Sequence, residues 1–149
     1  MSTIHFYKVK EPFGGFGNFA PYPVSMEGVL WPTSEHYFQA QKFHDATYRE
    51  AIRITPSPMD AAKMGRDRTK PLREDWESIK DELMYRVVLA KFTQHPGIRS
   101  ELLSTGEAVL VEHTKNDSYW GDGGDGSGKN MLGQILMRVR AELRQSARE

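Results

Sequence analysis

The sequence contains no cysteine, which removes several classes of chemistry at once. Disulfide bonds, thiol nucleophiles and zinc sites with cysteine ligands are all excluded. Neither sign of charge is in excess, because twenty basic residues balance twenty acidic ones. A neutral chain has no overall field that would recruit nucleic acid or a membrane surface, which argues against a dedicated DNA-binding module.

Long apolar segments are also missing. The first residues, MSTIHFYKVK, lack the apolar core of a signal peptide, and no later run approaches membrane-spanning length. We therefore expect no membrane contact and a cytoplasmic location. With 149 residues and 38% hydrophobic content, the chain fits one globular domain, residues 1–149.

Histidine is present but poorly spaced for metal binding. Of five histidines, only His36 and His44 fall in one predicted helix, and they stand eight residues apart. Because no H-x-x-x-H pair or equivalent exists, we expect no metal site, and the sequence indicates no cofactor.

The best-marked helix lies in WPTSEHYFQAQKF, residues 31–43. Thr33 is a candidate N-cap, since its hydroxyl can accept from an unpaired amide of the first turn. Pro32 keeps the chain extended up to that cap.

Three polar side chains share one face of this predicted helix. Glu35, Gln39 and Lys42 are spaced i, i+4 and i+7, among aromatic and small residues typical of a buried helix. Such groups cost free energy in apolar surroundings unless they pair or face a cavity. We interpret the stripe as the wall of an active site; a solvated face of surface ion pairs is the alternative.

The remaining periodicity predicts a mainly α-helical domain with a small β component. Short strands are expected at residues 4–7 and 108–111, and a hairpin at 23–31 that turns at Glu27 and Gly28. Further helices are expected at residues 45–54, 58–65, 75–95, 98–103 and 131–148.

Two stretches between these elements could contact a ligand. Residues 11–19, EPFGGFGNF, combine glycines that permit close backbone approach with phenylalanines that could wall a planar group. The basic stretch at residues 63–73 could hold a phosphate; its cations are Lys63, Arg66, Arg68, Lys70 and Arg73. A connecting loop and a solvated basic surface are the respective alternatives.

The glycine-rich loop EHTKNDSYWGDGGDGSGKN, residues 112–130, opens into the last predicted helix. It nearly fits a phosphate-binding P-loop, but Asn130 replaces the hydroxyl residue that would hold magnesium. The ligand pattern of an EF-hand is also missing. We interpret the segment as a flexible loop that delivers Asp117, Trp120 and Asp122 to a ligand and leaves helix-terminal amides available for an anion. A turn-rich surface loop is the alternative.

Three blocks occur in a characteristic order: WPTSEHYFQAQKF, GRDRTKPLREDW and NDSYWGDGGDGSGKNMLG. Together they resemble the YbiA-like (NADAR) family of N-glycosidases, from residue 4 to about residue 144. The resemblance implies a single YbiA-like domain and hydrolysis of N-glycosidic bonds in ribosylated, phosphorylated substrates. Family members act on early intermediates of riboflavin synthesis, and some relatives remove ADP-ribose from nucleobases.

The resemblance also implies roles for single residues. The catalytic candidates are Glu35, Lys42, Trp76 and Asp117. The candidate substrate-binding residues are Asn18, Phe19, Gln39, Arg66, Trp120, Gly121, Asp122 and Asn130. A tryptophan such as Trp76, in the first turn of a helix, is commonly a core residue, and its family position makes it a candidate for stacking on the substrate. Gly17 departs from the family pattern, which has serine before Asn18.

Cleavage of a C–N glycosidic bond develops positive charge at the anomeric carbon, which a carboxylate can stabilise or attack. Glu35 lies in a first turn, where the helix dipole favours the ionised form and hence a role as base or nucleophile. Asp117 or Asp122 could supply a second acid or base, or bind the ribose hydroxyls. Alternatively, the amine of Lys42 could form a Schiff base with the opened ribose. The sequence leaves both routes open.

The expected partner is a small ribosylated phosphate, with ADP-ribosylated nucleic acid as a second possibility. A protein that binds ADP-ribose or a nucleotide without turnover is the competing class. The ionisable side chains of Glu35, Lys42 and Asp117 favour an enzyme, because a binding pocket has no need to bury so many charges.

Overall fold

The fold is mainly helical, as the periodicity of the sequence predicts. The computed structural model describes residues 2–148, which form six α-helices and four short strands. The strands are β1 (Thr3–Phe6), β2 (Val24–Met26), β3 (Val29–Trp31) and β4 (Val109–Glu112). The helices are α1 (Ser34–Ala40), α2 (Ala46–Ile54), α3 (Pro58–Gly65), α4 (Trp76–Gln94), α5 (Pro96–Ser104) and α6 (Met131–Arg148). The predicted mainly helical class is confirmed; Met1 and Glu149, at the ends of the expected domain, lie outside the described residues.

Local signals at the starts of the helices are confirmed. The Thr33 hydroxyl accepts from the backbone amide of His36 at 3.1 Å and caps α1. Ser57 caps α3 in the same way, with Pro58 at the first helical position. The long helix α4 ends at Gln94, just before Pro96 as expected, and Pro96 begins α5 two residues earlier than predicted, where its missing N–H is no loss.

The end of α1 differs from the prediction. The helix ends at Ala40 and not at residue 43, because the amide of Lys42 donates to the carbonyl of Gln39, three residues back, at 3.2 Å. Lys42 therefore lies in the turn after α1, and the expected i+7 position on the helix face was wrong.

The strands form two separate pairs. β2 and β3 make the predicted antiparallel hairpin, with Glu27 at φ 54° and Gly28 at φ 81°, as a tight two-residue turn requires. β1 and β4 pair in parallel, so that Phe6 lies opposite Glu112. The parallel pair holds the end of β4, and the loop that follows it, against the first residues of the chain.

A single apolar core joins these elements. The central helix α4 contacts α1, α5, α6 and β2, and its Val87, Val88 and Phe92 are almost fully buried. Leu136 and Val139 of α6 are buried in the same core cluster. Within residues 2–148, no helix is both long and apolar enough to cross a bilayer.

Candidate active site

A cavity of about 760 Å³ opens between α1, α3, the start of α4 and the loop after β4. Most of the predicted site residues line it together: Asn18, Phe19, Glu35, Gln39, Lys42, Arg66, Trp76, Asp117 and Trp120. Residues from five separate parts of the sequence therefore meet at one cavity.

Glu35 lies in the first turn of α1 and is only 8% exposed. Its Oε2 accepts from Nε2 of Gln39 at 2.6 Å, while Oε1 of Gln39 has no hydrogen-bond partner among the described residues. Burial raises the pKa of Glu35; the Gln39 hydrogen bond and the charges of Lys42 and Arg66 oppose that effect, and Asp117 adds to it. The expected bias of Glu35 toward its ionised form at the helix terminus is thus countered by desolvation.

Lys42 reaches the same cavity from the turn after α1. Its Nζ lies 5.9 Å from the centre of the Trp76 ring. Burial lowers the pKa of Lys42 to about 8; the charge of Glu35 raises it, and the cations Arg68, Arg66 and Lys80 lower it further. An amine with such a pKa is neutral in a substantial fraction of molecules near neutral pH.

Aromatic side chains form one wall. Trp76 is buried at the first position of α4, and its ring centre lies 5.0 Å from that of Phe38. Phe38 in turn contacts Trp120 edge to face, with 5.3 Å between centres. Trp76 thus belongs to the core and also lines the cavity, and its stacking on a substrate stays a prediction.

Asn18 connects the first loop to α1. Its carbonyl accepts from the amide of Glu35 at 3.2 Å and its Oδ1 from the hydroxyl of Ser34 at 2.8 Å. The preceding residue, Gly17, is held by Nζ of the buried Lys91, which donates to its carbonyl at 2.8 Å. A Cβ at Gly17 would meet only ordinary contacts at 3.7 Å or more, so the family's serine could be accommodated at this position.

One glycine of the first loop is there for a different reason than expected. A Cβ at Gly14 would lie 2.2 Å from the carbonyl oxygen of Val9, so the close approach of Gly14 is to the chain itself, whereas Gly17 lines the cavity. Phe16 is buried in the core, whereas Phe19 is 36% exposed and lines the cavity. Of the phenylalanines expected to wall a ligand, Phe19 is therefore the one placed to do so.

Three residues expected to bind substrate lie outside the cavity lining. Oδ1 of Asp122 accepts from the amides of Thr114 and Gly124, and Oδ2 is hydrogen-bonded to Nδ1 of His113. Asn130 accepts from the amide of Glu112 and donates to the carbonyl of Leu110, each at 2.9 Å.

Gly121 completes this group. A Cβ on Gly121 would lie 2.9 Å from the carbonyl oxygens of Asp117 and Glu112. The structure therefore uses Gly121, Asp122 and Asn130 to close the loop on itself and on β4, outside the lining of the cavity.

The start of α6 does not offer the expected anion site. The amides of Met131 and Leu132 donate to the carbonyls of Tyr119 and Trp120 at 2.9 and 3.0 Å. Asp117 is similarly fixed, because its Oδ1 accepts from the amides of the same two loop residues, Tyr119 at 2.9 Å and Trp120 at 2.8 Å. The loop is internally hydrogen-bonded, and it presents Asp117 and Trp120 to the cavity.

The basic stretch is dispersed in the structure. Of its five cations, all within the described residues, only Arg66 lines the cavity. Arg73 donates two hydrogen bonds to the carboxylate of Asp75, at 2.7 and 3.1 Å, and lines a separate cavity. Arg68 donates to the carbonyl of Gly65. A phosphate site built from the whole stretch is therefore wrong.

Lys80 supplies a cation that the sequence analysis missed. It lines the cavity one turn after Trp76, and its Nζ lies 4.0 Å from the ring centre of Tyr119. The i, i+4 spacing from Trp76 is the signal that could have identified it. The cations in the lining of the cavity are Lys8, Lys42, Arg66 and Lys80.

Glu112 is the second residue that the sequence analysis missed. It is the last residue of β4, and it lines the cavity together with Glu35 and Asp117. Burial raises the pKa of Glu112 to about 7, and the acidic neighbours Asp117, Glu35 and Asp122 add to the effect. Among residues 2–148, no three histidine or acidic side chains are grouped closely enough to hold a metal ion.

Comparisons with known proteins agree with this geometry. The NADAR domain family matches the chain over residues 5–144, which include every residue lining the cavity. N-glycosidase YbiA of Escherichia coli (strain K12) is 58% identical over 142 residues, 95% of this chain and 89% of that protein. Riboflavin biosynthesis protein VVA0006 of Vibrio vulnificus is 42% identical over 144 residues, 97% of this chain and 39% of that protein. The NMR structure of the E. coli protein YbiA has a TM-score of 0.93 at 55% identity, covering 99% of this chain and 88% of that one.

Proposed function

The chain belongs to the NADAR domain family, and on that premise we propose that it is an N-glycosidase that hydrolyses the C–N bond of ribosylated, phosphorylated substrates. The substrates we propose are ribosylamino-pyrimidine phosphates from early riboflavin synthesis, which would yield ribose 5-phosphate and the free base. The names of the similar proteins, an N-glycosidase and a riboflavin biosynthesis protein, support this choice.

The observation that carries the proposal is the pair formed by Glu35 and Lys42 inside the cavity. Glu35 is buried and Lys42 is half-buried, both line the cavity, and each acts on the pKa of the other. A carboxylate in a site of low dielectric constant stabilises a developing oxocarbenium ion far better than it would in water. Lys42 can hold that carboxylate in its charged form or attack the opened sugar itself.

The rest of the cavity suits the other parts of such a substrate. Phe38, Trp76 and Trp120 offer flat apolar faces on which a pyrimidine can stack. The cations of Lys42, Arg66 and Lys80 line the cavity and can attract the phosphate, although Nζ of Lys80 also donates to Oε1 of Glu77 at 2.7 Å. Asp117, whose second carboxylate oxygen is not used by the two loop amides, is placed to accept from ribose hydroxyls.

A second candidate is hydrolysis of ADP-ribose from nucleobases. The observation that favours it is the cavity volume of about 760 Å³, which lies high in the range of about 300–1,000 Å³ for small-molecule sites. Such a volume leaves room for a ligand larger than a ribosylamino-pyrimidine phosphate. A protein that only binds nucleotide would have no need for the ionisable Glu35 and Lys42 in one cavity, and we therefore rank it last.

Mass spectrometry of reaction products tests the proposal directly. Purified protein is incubated with a ribosylamino-pyrimidine phosphate, with its dephosphorylated form and with an ADP-ribosylated nucleobase. We expect release of ribose 5-phosphate from the first at a rate well above that with the Glu35→Gln variant, which serves as the matched control for spontaneous hydrolysis. Release of ADP-ribose alone would favour the second candidate, and wild-type rates no higher than those without protein would refute both.

A further inference from the structure

Glu112 is held at the cavity by its own backbone. Its amide donates to Oδ1 of Asn130 at 2.9 Å, and its carbonyl accepts from the amide of Asp122 at 2.9 Å. β4 also pairs with β1 at this residue, opposite Phe6. The backbone of Glu112 is thus held by Asn130, by Asp122 and by the pairing with β1, and its side chain lines the cavity from this fixed position.

The surroundings of Glu112 contrast with those of Glu35. The charges that act on Glu112 are Asp117, Glu35 and Asp122, all of them acidic. The adjacent His113 is hydrogen-bonded to Asp122, and no hydrogen bond reaches the Glu112 carboxyl group among the described residues. Glu35, by comparison, accepts from Gln39 and has the cations of Lys42 and Arg66 nearby.

Carboxyl groups that share a cavity cannot all carry charge at low cost, and one of them keeps a proton. Burial raises the pKa of both groups, but Glu35 accepts a hydrogen bond from Gln39 at 2.6 Å, and the cations of Lys42 and Arg66 lower its pKa. Glu112 has no such donor among the described residues and only acidic charges acting on its pKa, so it is the better placed of the two to keep a proton.

We propose that Glu112 is the catalytic acid that protonates the leaving nitrogen during cleavage of the glycosidic bond, an inference that rests on the proposed function. As the bond between the anomeric carbon and nitrogen breaks, its electron pair goes to the nitrogen, which takes the proton of Glu112. Water adds to the anomeric carbon and loses a proton to Glu35. The products are the free amine and the sugar phosphate, and exchange with solvent returns the proton from Glu35 to Glu112.

This assignment answers a chemical need. An amine leaves poorly as an anion, so the nitrogen must be protonated whether water or Lys42 attacks the sugar. A positioned general acid contributes about 100- to 10,000-fold to such a step, most efficiently when its pKa lies near the working pH. The value of about 7 for Glu112 meets that condition.

The kinetic test uses Glu112→Gln, which keeps the shape but carries no acidic proton. We expect kcat to fall at least about 100-fold with KM changed little. The wild-type rate should decline as pH rises through about 7, because the acid loses its proton there, and the variant should lose this decline. Glu142→Gln makes the same substitution at an exposed position of α6 outside the described lining and should behave as wild type.

The outcomes separate this inference from the proposed function. If wild type releases no sugar phosphate, the proposed function fails; if wild type and Glu112→Gln are equally active, only the role of Glu112 fails. Carbon-13 NMR of the glutamate carboxyl groups gives a reading that needs no activity, with the Glu112 signal assigned by its absence in the variant. A midpoint near pH 7 supports the assignment, and one near the ordinary glutamate value of about 4.3 overturns it.

Discussion

Lys42 allows the most quantitative prediction, because the effect of its environment on its pKa is large enough to state as a value. Its pKa is lowered from 10.5 to about 8, chiefly by burial. The neutral fraction of the amine near neutral pH is therefore about 300 times that of an ordinary lysine. Only a neutral amine can attack the aldehyde of an opened ribose, so the cavity is suited to forming an imine there.

Borohydride added during turnover should reduce that imine and leave a ribosyl phosphate adduct on Lys42. Lys42→Arg should abolish the adduct and lower kcat at least about 100-fold, because guanidinium keeps its proton at any pH of interest. Ribose 5-phosphate and borohydride without turnover provide the control, since free aldehyde would label exposed lysines such as Lys63 equally.

The reasoning is refuted if Lys42→Arg keeps full activity and wild type yields no adduct. Lys42 would then be a cation that orients Glu35, and attack by water would be the remaining route. An adduct on exposed lysines alone would point to the same conclusion, because it would show that reaction outside the cavity accounts for the label.

Three further predictions concern the neighbours of Lys42. Glu35→Gln should lower kcat at least about 1,000-fold while circular dichroism stays unchanged; a folded variant of near wild-type rate would remove Glu35 from the mechanism. Arg66→Gln should raise KM for phosphorylated substrates only, with the exposed Lys63→Gln as control, and equal effects on plain ribosides would show that Arg66 does not bind phosphate. In Gly65→Ala the added methyl would lie 1.8 Å from Oε1 of Gln39 and should displace the side chain that hydrogen-bonds Glu35. Activity should fall with little loss in Tm, because only the flexible end of Gln39 has to move; unchanged kinetics would show that Gln39 need not hold Glu35.

Local features were predictable from the sequence because their causes are local. The cap at Thr33 and the turn at Glu27 and Gly28 each depend on a few neighbouring residues, and each is present as predicted. The spacing of Glu35, Gln39 and Lys42 led to the correct cavity even though α1 ends before Lys42, since the following turn carries that side chain in the same direction.

Features that depend on distant residues escaped the sequence analysis. Glu112 and Lys80 join the site only because β4 pairs with β1 and the loop packs against α4. Asp122 and Asn130 are residue types that commonly bind ligands, but their side chains already form hydrogen bonds with neighbouring backbone groups. Sequence alone does not distinguish a polar side chain that binds a ligand from one that forms hydrogen bonds within a loop.

The pairing of β1 with β4 also sets an order of assembly. The contacts of α1 with α2 and α3, and of α4 with α5, join elements close in sequence and can form early, whereas a parallel pair between Thr3–Phe6 and Val109–Glu112 must close a loop containing most of the chain. Glu112 takes its place only when that loop has closed. A nascent or refolding molecule can therefore be largely helical while its cavity still lacks one wall, and the completed cavity is a late product of folding.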